Sequence, residues 1–399
     1  MKRSFDNIYE PYISQAKQPC RTERRGFQIY PVNKFKSTFP YFREPKEVGS
    51  FSHDYERNFQ HDRHQLMFYV PPEDIDDVSF DLRDGYETFI KKDDSVKDKL
   101  DDMLKWILLN KNTFLIQNQT KQQQGHDCLS SLNTDFVCWR GLLTKLLCTP
   151  YESRDGWQIA VTRHNDTFYL CEFETEERVQ QKQRETAKQQ EMSYWGFKFE
   201  QYLTAKKPEE LPSTDRPVNN KSAFCSVVRG RLHRHSLVFG GEVDCCQTCN
   251  GETKYVELKT SRDMYHVNQK RNFKRFKLIK WWAQSFLIGV PKIVCGFRDD
   301  DGIVHRLEEF KTQDIPRYCQ DIDNCWNPSI CFNFCDQFLQ HIKDTVTTND
   351  PKVSYVFTWH PRHEITYKIY GPDSEYAFLP AWYYNPQPAS TDTVTSSSA

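Results

Sequence analysis

Residues 238–260, VFGGEVDCCQTCNGETKYVELKT, set three carboxylates and a lysine on two short apolar stretches joined by a polar loop. Side chains alternate faces along a strand, so Glu242 and Asp244 share one side, as do Glu257 and Lys259. Antiparallel pairing of the two stretches across Cys245–Lys254 gathers the acids and the amine on one patch. Such a patch suits Mg²⁺, a hard cation that takes oxygen ligands and binds phosphate. Lys259 then stands where an ammonium orients an attacking water or neutralises charge developing on phosphorus. The plainer alternative is a hairpin with a solvated polar face, in which Glu and Lys merely pair.

The rest of the chain bounds the class. Its 399 residues, 38% hydrophobic with 28 Phe, 20 Tyr and 9 Trp, suffice for a large packed core. With 54 basic and 55 acidic residues the net charge is −1, so any contact with a polyanion has to be local. MKRSFDNIYEPY lacks the apolar stretch of a signal peptide, and no run approaches the about 18 apolar residues of a membrane span. The 14 cysteines are then expected to stay reduced in an intracellular protein. Residues 1–25 read as a flexible arm, 26–383 as one catalytic domain and 384–399 as a disordered tail.

Val96–Leu109 has helical spacing, and the charged run Glu172–Glu191 reads as a solvated helix or a long excursion. Ala205–Lys221 reads as a surface loop. In Tyr194–Tyr202, YWGFKFEQY, Glu200 lies among aromatics on either a strand or a helix, where a buried acid needs a metal or a cationic partner. Lys270–Lys280 carries six basic residues and runs into WWAQSFLIGVP. At about 100° per residue, Phe276, Ile279, Trp282, Ala283, Phe286 and Leu287 share an apolar face. Lys277, Lys280 and Gln284 flank it, placed for nucleotide contacts or simply for solvent. Gly289 and Pro291 end that helix, and IVCGF follows as a strand. Trp139-Arg140-Gly141 precedes an apolar stretch, where the arginine either grips a phosphate bidentately or marks an element end.

GFKFE at Gly196–Glu200, Glu242-Val243-Asp244, Glu257-Leu258-Lys259 and WWAQ at Trp281–Gln284, in that order, resemble the motifs of the DXO decapping exoribonuclease family. FSHDYERNF, WRGLLTKLLCTPYE, AFCSVV and YAFLPAWY extend the resemblance over residues 37–383. It implies an α/β single domain with two twisted mixed sheets flanked by helices, the core similar to PD-(D/E)xK nucleases. It also implies one or two Mg²⁺ or Mn²⁺ ions held by Glu200, Glu242, Asp244, Glu257 and the carbonyl of Leu258. Glu242, Asp244, Glu257 and Lys259 would be catalytic. Arg57, Trp139, Arg140, Gly141, Cys225, Glu242, Lys259 and Gln284 would meet the RNA, and Asp98 occupies a substrate-binding position with a shorter acid. The implied activity is removal of incomplete or unusual RNA 5′ ends (unmethylated cap, triphosphate, NAD cap) followed by 5′-to-3′ degradation. The implied setting is the nucleus, with some cytoplasmic presence, no membrane and no DNA substrate. The competing functions are a non-catalytic RNA-end-binding partner of a processive 5′–3′ exoribonuclease and a DNA nuclease on the same core. Cys245, Cys246 and Cys249 lack a fourth ligand, which disfavours zinc.

Overall fold

The computed structural model describes residues 21–114 and 131–385; most of the expected arm and nearly all of the expected tail lie outside them. Two mixed sheets build the fold. The larger runs Arg21–Phe27, Ile365–Tyr370, Ser354–Trp359, Trp157–His164, Thr167–Phe173, Phe136–Trp139, His235–Glu242, Ala223–Leu232, Phe42–His53 and Phe59–Gln60. It is antiparallel except at Phe136–Trp139, which is parallel to both neighbours. The smaller runs Phe80–Asp81, Ile303–Lys311, Lys292–Arg298, Glu252–Arg262, Cys245–Cys249, Phe68–Tyr69 and Thr204–Ala205. The strand Arg21–Phe27, which pairs with Ile365–Tyr370, runs across the expected boundary at residue 26.

Three apolar clusters hold the layers together. The largest lies between the sheets, where Phe224 and Phe239 of one and Ile293 and Phe297 of the other meet Leu143, Trp282 and Phe338 from intervening helices. A second covers the outer face of the larger sheet, under the helix Asp101–Leu109. A third covers the outer face of the smaller sheet, under the helix Ala187–Leu203. Each helix buries one stripe against a sheet, the usual solution for layered α/β structure.

Several local readings change in the folded chain. The charged run forms two helices, Glu176–Gln183 and Ala187–Leu203, the second opened by a Thr186–Gln189 capping box. That second helix continues through Tyr194–Tyr202, so Glu200 is helical. The helix expected from Val96 starts at Asp101, and Val96 is 61% exposed. Asp101 and Asp102 suit its positive N-terminal end, and the turn before it is held by ion pairs of Asp98. The basic helix is interrupted by a π-turn, Phe273–Lys277, ahead of Leu278–Ile288. The extra residue in that turn shifts the apolar face by about 100°. Phe273 is therefore buried where the pattern pointed to Phe276, which stays 39% exposed. Gly289 ends the helix in the left-handed region at φ 77°, as its position in the sequence suggested.

Asp102 ties the helix Asp101–Leu109 to the sheet, pairing with His53 at 2.8 Å and accepting from Lys105 at 2.9 Å. Burial opposes its charge, but His53 and Lys105 outweigh burial and hold its pKa at about 2. A carboxyl held that far below its ordinary value stabilises the fold by about 2 kcal/mol at neutral pH. The contribution is complete above the ordinary value of about 3.9 and fades as pH falls through about 2. Asp102→Asn is expected to lose about 2 kcal/mol in urea titrations at pH 7, with the gap to wild type closing towards pH 2. Equal midpoints at pH 7 would show that this tether contributes nothing.

Candidate active site

The site forms where the chain leaves one sheet for the other. The strand His235–Glu242 ends with Glu242 opposite Cys225. The Val243 amide donates to the Phe224 carbonyl at 3.0 Å, after which the chain crosses into Cys245–Cys249. Asn250 and Gly251, at φ 53° and 79°, form a two-residue turn of the kind that closes hairpins. That turn pairs Cys249 with Glu252 and Cys245 with Val256. The expected hairpin between the Glu242–Asp244 stretch and the Glu257–Lys259 stretch is thus corrected: Glu242 lies in the larger sheet and Glu257 in the smaller. The Asn-Gly pair was the signal for this register. Gly241 permits the crossing, since a Cβ there would stand 2.8 Å from Ile288 and 3.0 Å from Arg140.

The acids converge all the same. Asp244, at the crossing, accepts from the Leu258 amide at 2.7 Å. Glu257 is 1% exposed; it is ion-paired to Lys259, accepts from Gln284 at 2.6 Å and faces Arg140 at 3.6 Å. Lys259 also lies 3.9 Å from Asp244. Glu200 reaches the group from the C-terminal turn of its helix. Burial, then Asp244 and Glu242, push the Glu200 pKa well above the carboxylate range, and burial with Glu257 raises Asp244. Burial would raise Glu257 as well, but Lys259 and Arg140 outweigh it and hold it low. For Lys259, burial opposes the charge, yet Glu257 and Asp244 prevail and lift its pKa above the ordinary lysine value.

Among the described residues no three His, Cys, Asp or Glu side chains stand in a ligating arrangement, because the Glu257 oxygens face Lys259, Gln284 and Arg140. The donor set nonetheless fits a divalent cation. Beyond burial, Asp244 and Glu242 push Glu200 up, Glu257 pushes Asp244 up, and the buried Glu257 Oε2 has no hydrogen-bond partner. Oxygen-rich clusters under such mutual repulsion are relieved by a hard cation.

Of the remaining candidates, Arg140 and Gln284 face Glu257 and Cys225 stands opposite Glu242, whereas Arg57, Asp98 and Trp139 are placed by contacts of their own. Arg57 takes the left-handed φ of 73° and pairs with Asp98 at 2.8 Å, and Lys92 pairs with the same carboxylate. Backbone strain at a non-glycine residue commonly marks a functional position. Trp139 donates to the Lys99 carbonyl at 2.7 Å, and burial pushes the Cys225 thiol up. Arg140 and Gly141 open the helix Arg140–Cys148 and, with Gln284 and Lys280, border a cavity of about 360 Å³. The basic flank is less free than its sequence implied: Lys280 pairs with Glu152 at 2.8 Å and Lys277 donates to Ser261 at 3.2 Å. Sequence pattern did not reveal Glu47, which accepts from Ser226 at 2.6 Å and binds Arg63 and Tyr255, bridging the two sheets beside the site. Nothing in its local pattern, an acid on a half-exposed strand, marks it out.

Comparison with known proteins decides the family. A family model described as RAI1 like PD-(D/E)XK nuclease matches residues 43–384. The chain is 40% identical over 361 residues to the decapping and exoribonuclease protein of Xenopus laevis, covering 88% of each. The chain belongs to the RAI1-like PD-(D/E)XK nuclease family. Its fold also matches solved Rai1 structures. That of S. pombe Rai1 in complex with 3′-FADP gives a TM-score of 0.68 at 27% identity, over 87% of this chain and 99% of that one. That of Candida albicans Rai1 in complex with pU5-Mn²⁺ gives 0.72 at 25% identity, over 87% and 95%. Membership makes this a hydrolase fold of the decapping nuclease group, in which a divalent ion has been captured.

Two substitutions test the carboxylates as metal ligands. Glu257→Gln and Asp244→Asn each remove a ligand charge at nearly constant shape, so both are expected to abolish Mn²⁺ binding by calorimetry while circular dichroism stays that of wild type. Mn²⁺ affinity within about twofold of wild type in both variants would refute the assignment.

Proposed function

We propose that this chain is a Mg²⁺-dependent hydrolase of RNA 5′ ends, removing unmethylated caps, triphosphates and NAD caps and then degrading the body 5′ to 3′. The observation that carries the proposal is the meeting of Glu200, Asp244, Glu257 and Lys259 at the sheet crossing, within a chain whose relatives are decapping nucleases. The pU5 and 3′-FADP held by the Rai1 relatives support a 5′ end and a nucleotide cap as ligands here. Action in the nucleus, beside a processive 5′–3′ exoribonuclease, is part of the same proposal and rests on the family resemblance.

Mg²⁺ bound by the carboxylates would supply Lewis-acid activation of the reacting phosphate. The protein's own groups do the positioning. In the reaction a water oxygen bonds to phosphorus while the bond to the leaving oxygen breaks, and negative charge builds on the phosphoryl oxygens. Lys259 is held protonated by Glu257 and Asp244, so it is no proton acceptor; it offers a fixed positive charge to those oxygens. Gln284 and Arg140 fix the Glu257 carboxylate from two helices, which keeps Lys259 in place in turn. The cavity beside Gln284 and Lys280 gives the released 5′ group room.

RNAs bearing monophosphate, triphosphate, unmethylated cap, methylated cap and NAD ends, incubated with Mg²⁺ or with EDTA, define the activity. Release of 5′ products with Mg²⁺ alone is expected, and no product from any end would overturn the proposal. Lys259→Ala should retain metal and RNA binding while losing about 3 kcal/mol of transition-state stabilisation, about two orders of magnitude in rate. Near-normal single-turnover cleavage by that variant would make the lysine structural.

A further inference from the structure

At the far end of the strands that carry Cys225 and Glu242, four arginines crowd one concavity. Arg229 and Arg231 lie on Ala223–Leu232, Arg43 stands opposite Arg231 on the neighbouring strand, and Arg234 lies in the turn before His235–Glu242. Together they line a polar concavity of about 630 Å³. Its two rim acids are engaged elsewhere, Asp135 with Lys343 at 2.6 Å and Asp166 with Arg163 at 2.7 Å. Among the described residues none of the four guanidinium groups is paired with a carboxylate. Arg229 donates to the Asn133 carbonyl and Arg231 to that of His233 at 3.2 Å, which aims both forks without cancelling their charge. Burial, and then Arg43 and Arg231, push the Arg229 pKa down, the mark of positive charges held together at a cost.

A chain of net charge −1 that keeps four unopposed arginines together keeps them for an anion. Arginine forks match phosphate oxygens bidentately. The location narrows the choice of anion. Cys225, Val227, Arg229 and Arg231 alternate onto one face of the sheet, so the arginines share the face of Cys225, which lies opposite Glu242. Arg231 is six steps along the strand from Cys225, about 20 Å. Between them the face is covered by Asp101–Leu109 and its apolar cluster, over which a bound strand would pass.

We propose that this arginine concavity binds backbone phosphates of the RNA body, downstream of the 5′ end held at the carboxylates, so that a long RNA is gripped at two points. The inference rests on the RNA 5′-end reading of the site. It predicts an affinity that grows with RNA length through effective concentration.

The test measures binding in EDTA, so that it does not depend on hydrolysis. Fluorescence anisotropy would compare 5′-monophosphate RNAs of about 5 and about 30 nucleotides across a salt series. Wild type should bind the long RNA at least about tenfold more tightly than the short one. The triple variant Arg43→Ala, Arg231→Ala, Arg234→Ala should lose that advantage, and its salt slope on long RNA should fall by roughly 2, about 0.7 for each phosphate released. Short-RNA binding and Mg²⁺-dependent cleavage should be unchanged, and the corresponding triple lysine variant should recover most of the slope. A length advantage absent from wild type, or equal in wild type and the alanine variant, overturns the proposal. So does loss of binding to poly-glutamate with RNA binding intact, which would assign the concavity to an acidic protein. Failure of the hydrolase reading itself would appear separately, as no cleavage of any RNA with Mg²⁺.

Discussion

Glu257 is a carboxylate with almost no access to water, and burying such a charge without partners costs several kcal/mol. It stays charged because Lys259 from its own strand, Arg140 from the start of one helix and Gln284 from another converge on it. Those three partners come from separate elements, so the ion-paired group also sets how both helices seat against the smaller sheet. Arg140 reaches it because Gly241 lets the helix start lie against the neighbouring strand. Remove the carboxylate and a half-buried lysine and a buried arginine lose their shared partner together.

Around that compensated centre lies an uncompensated one. Glu200 is forced up by burial and by Asp244 and Glu242, and Asp244 by burial and Glu257, while Glu257 and Lys259 satisfy each other a few ångströms away. A site with surplus negative charge beside a fixed ammonium is suited to a divalent ion and an anionic substrate at once. The sheet crossing produces this asymmetry: Glu242 ends one sheet, Asp244 bonds to the backbone of the other, and Glu200 arrives from the helix covering that second sheet.

Much of this was visible before folding. Alternation alone put Glu257 and Lys259 on one face, and the structure has them in contact. The aromatic spacing of Tyr194–Tyr202 suits the helix it forms, and Gly289 with Pro291 marked the end of Leu278–Ile288. Other features were hidden for local reasons. A π-turn adds one residue, so the buried face through Ile279, Trp282, Ala283 and Leu287 continues upstream to Phe273 and not to the expected Phe276. The Asn250-Gly251 turn allotted the partners of Glu252–Val256 to Cys245–Cys249, which left Glu242 to another sheet.

What the sequence by itself determined is the inventory of the site, four acids, a lysine and a glutamine in a recognisable order, together with the periodicity that makes their elements. Strand and helix periods depend only on neighbours along the chain, so they survive without tertiary information. The tertiary structure alone decided which sheet each acid belongs to, that Arg140 faces Glu257, that Glu47 bridges the sheets, and that Arg43 meets Arg231. Those are pairings between distant segments. Register between such strands is set by how both faces of a sheet are buried, which no single stretch of sequence carries.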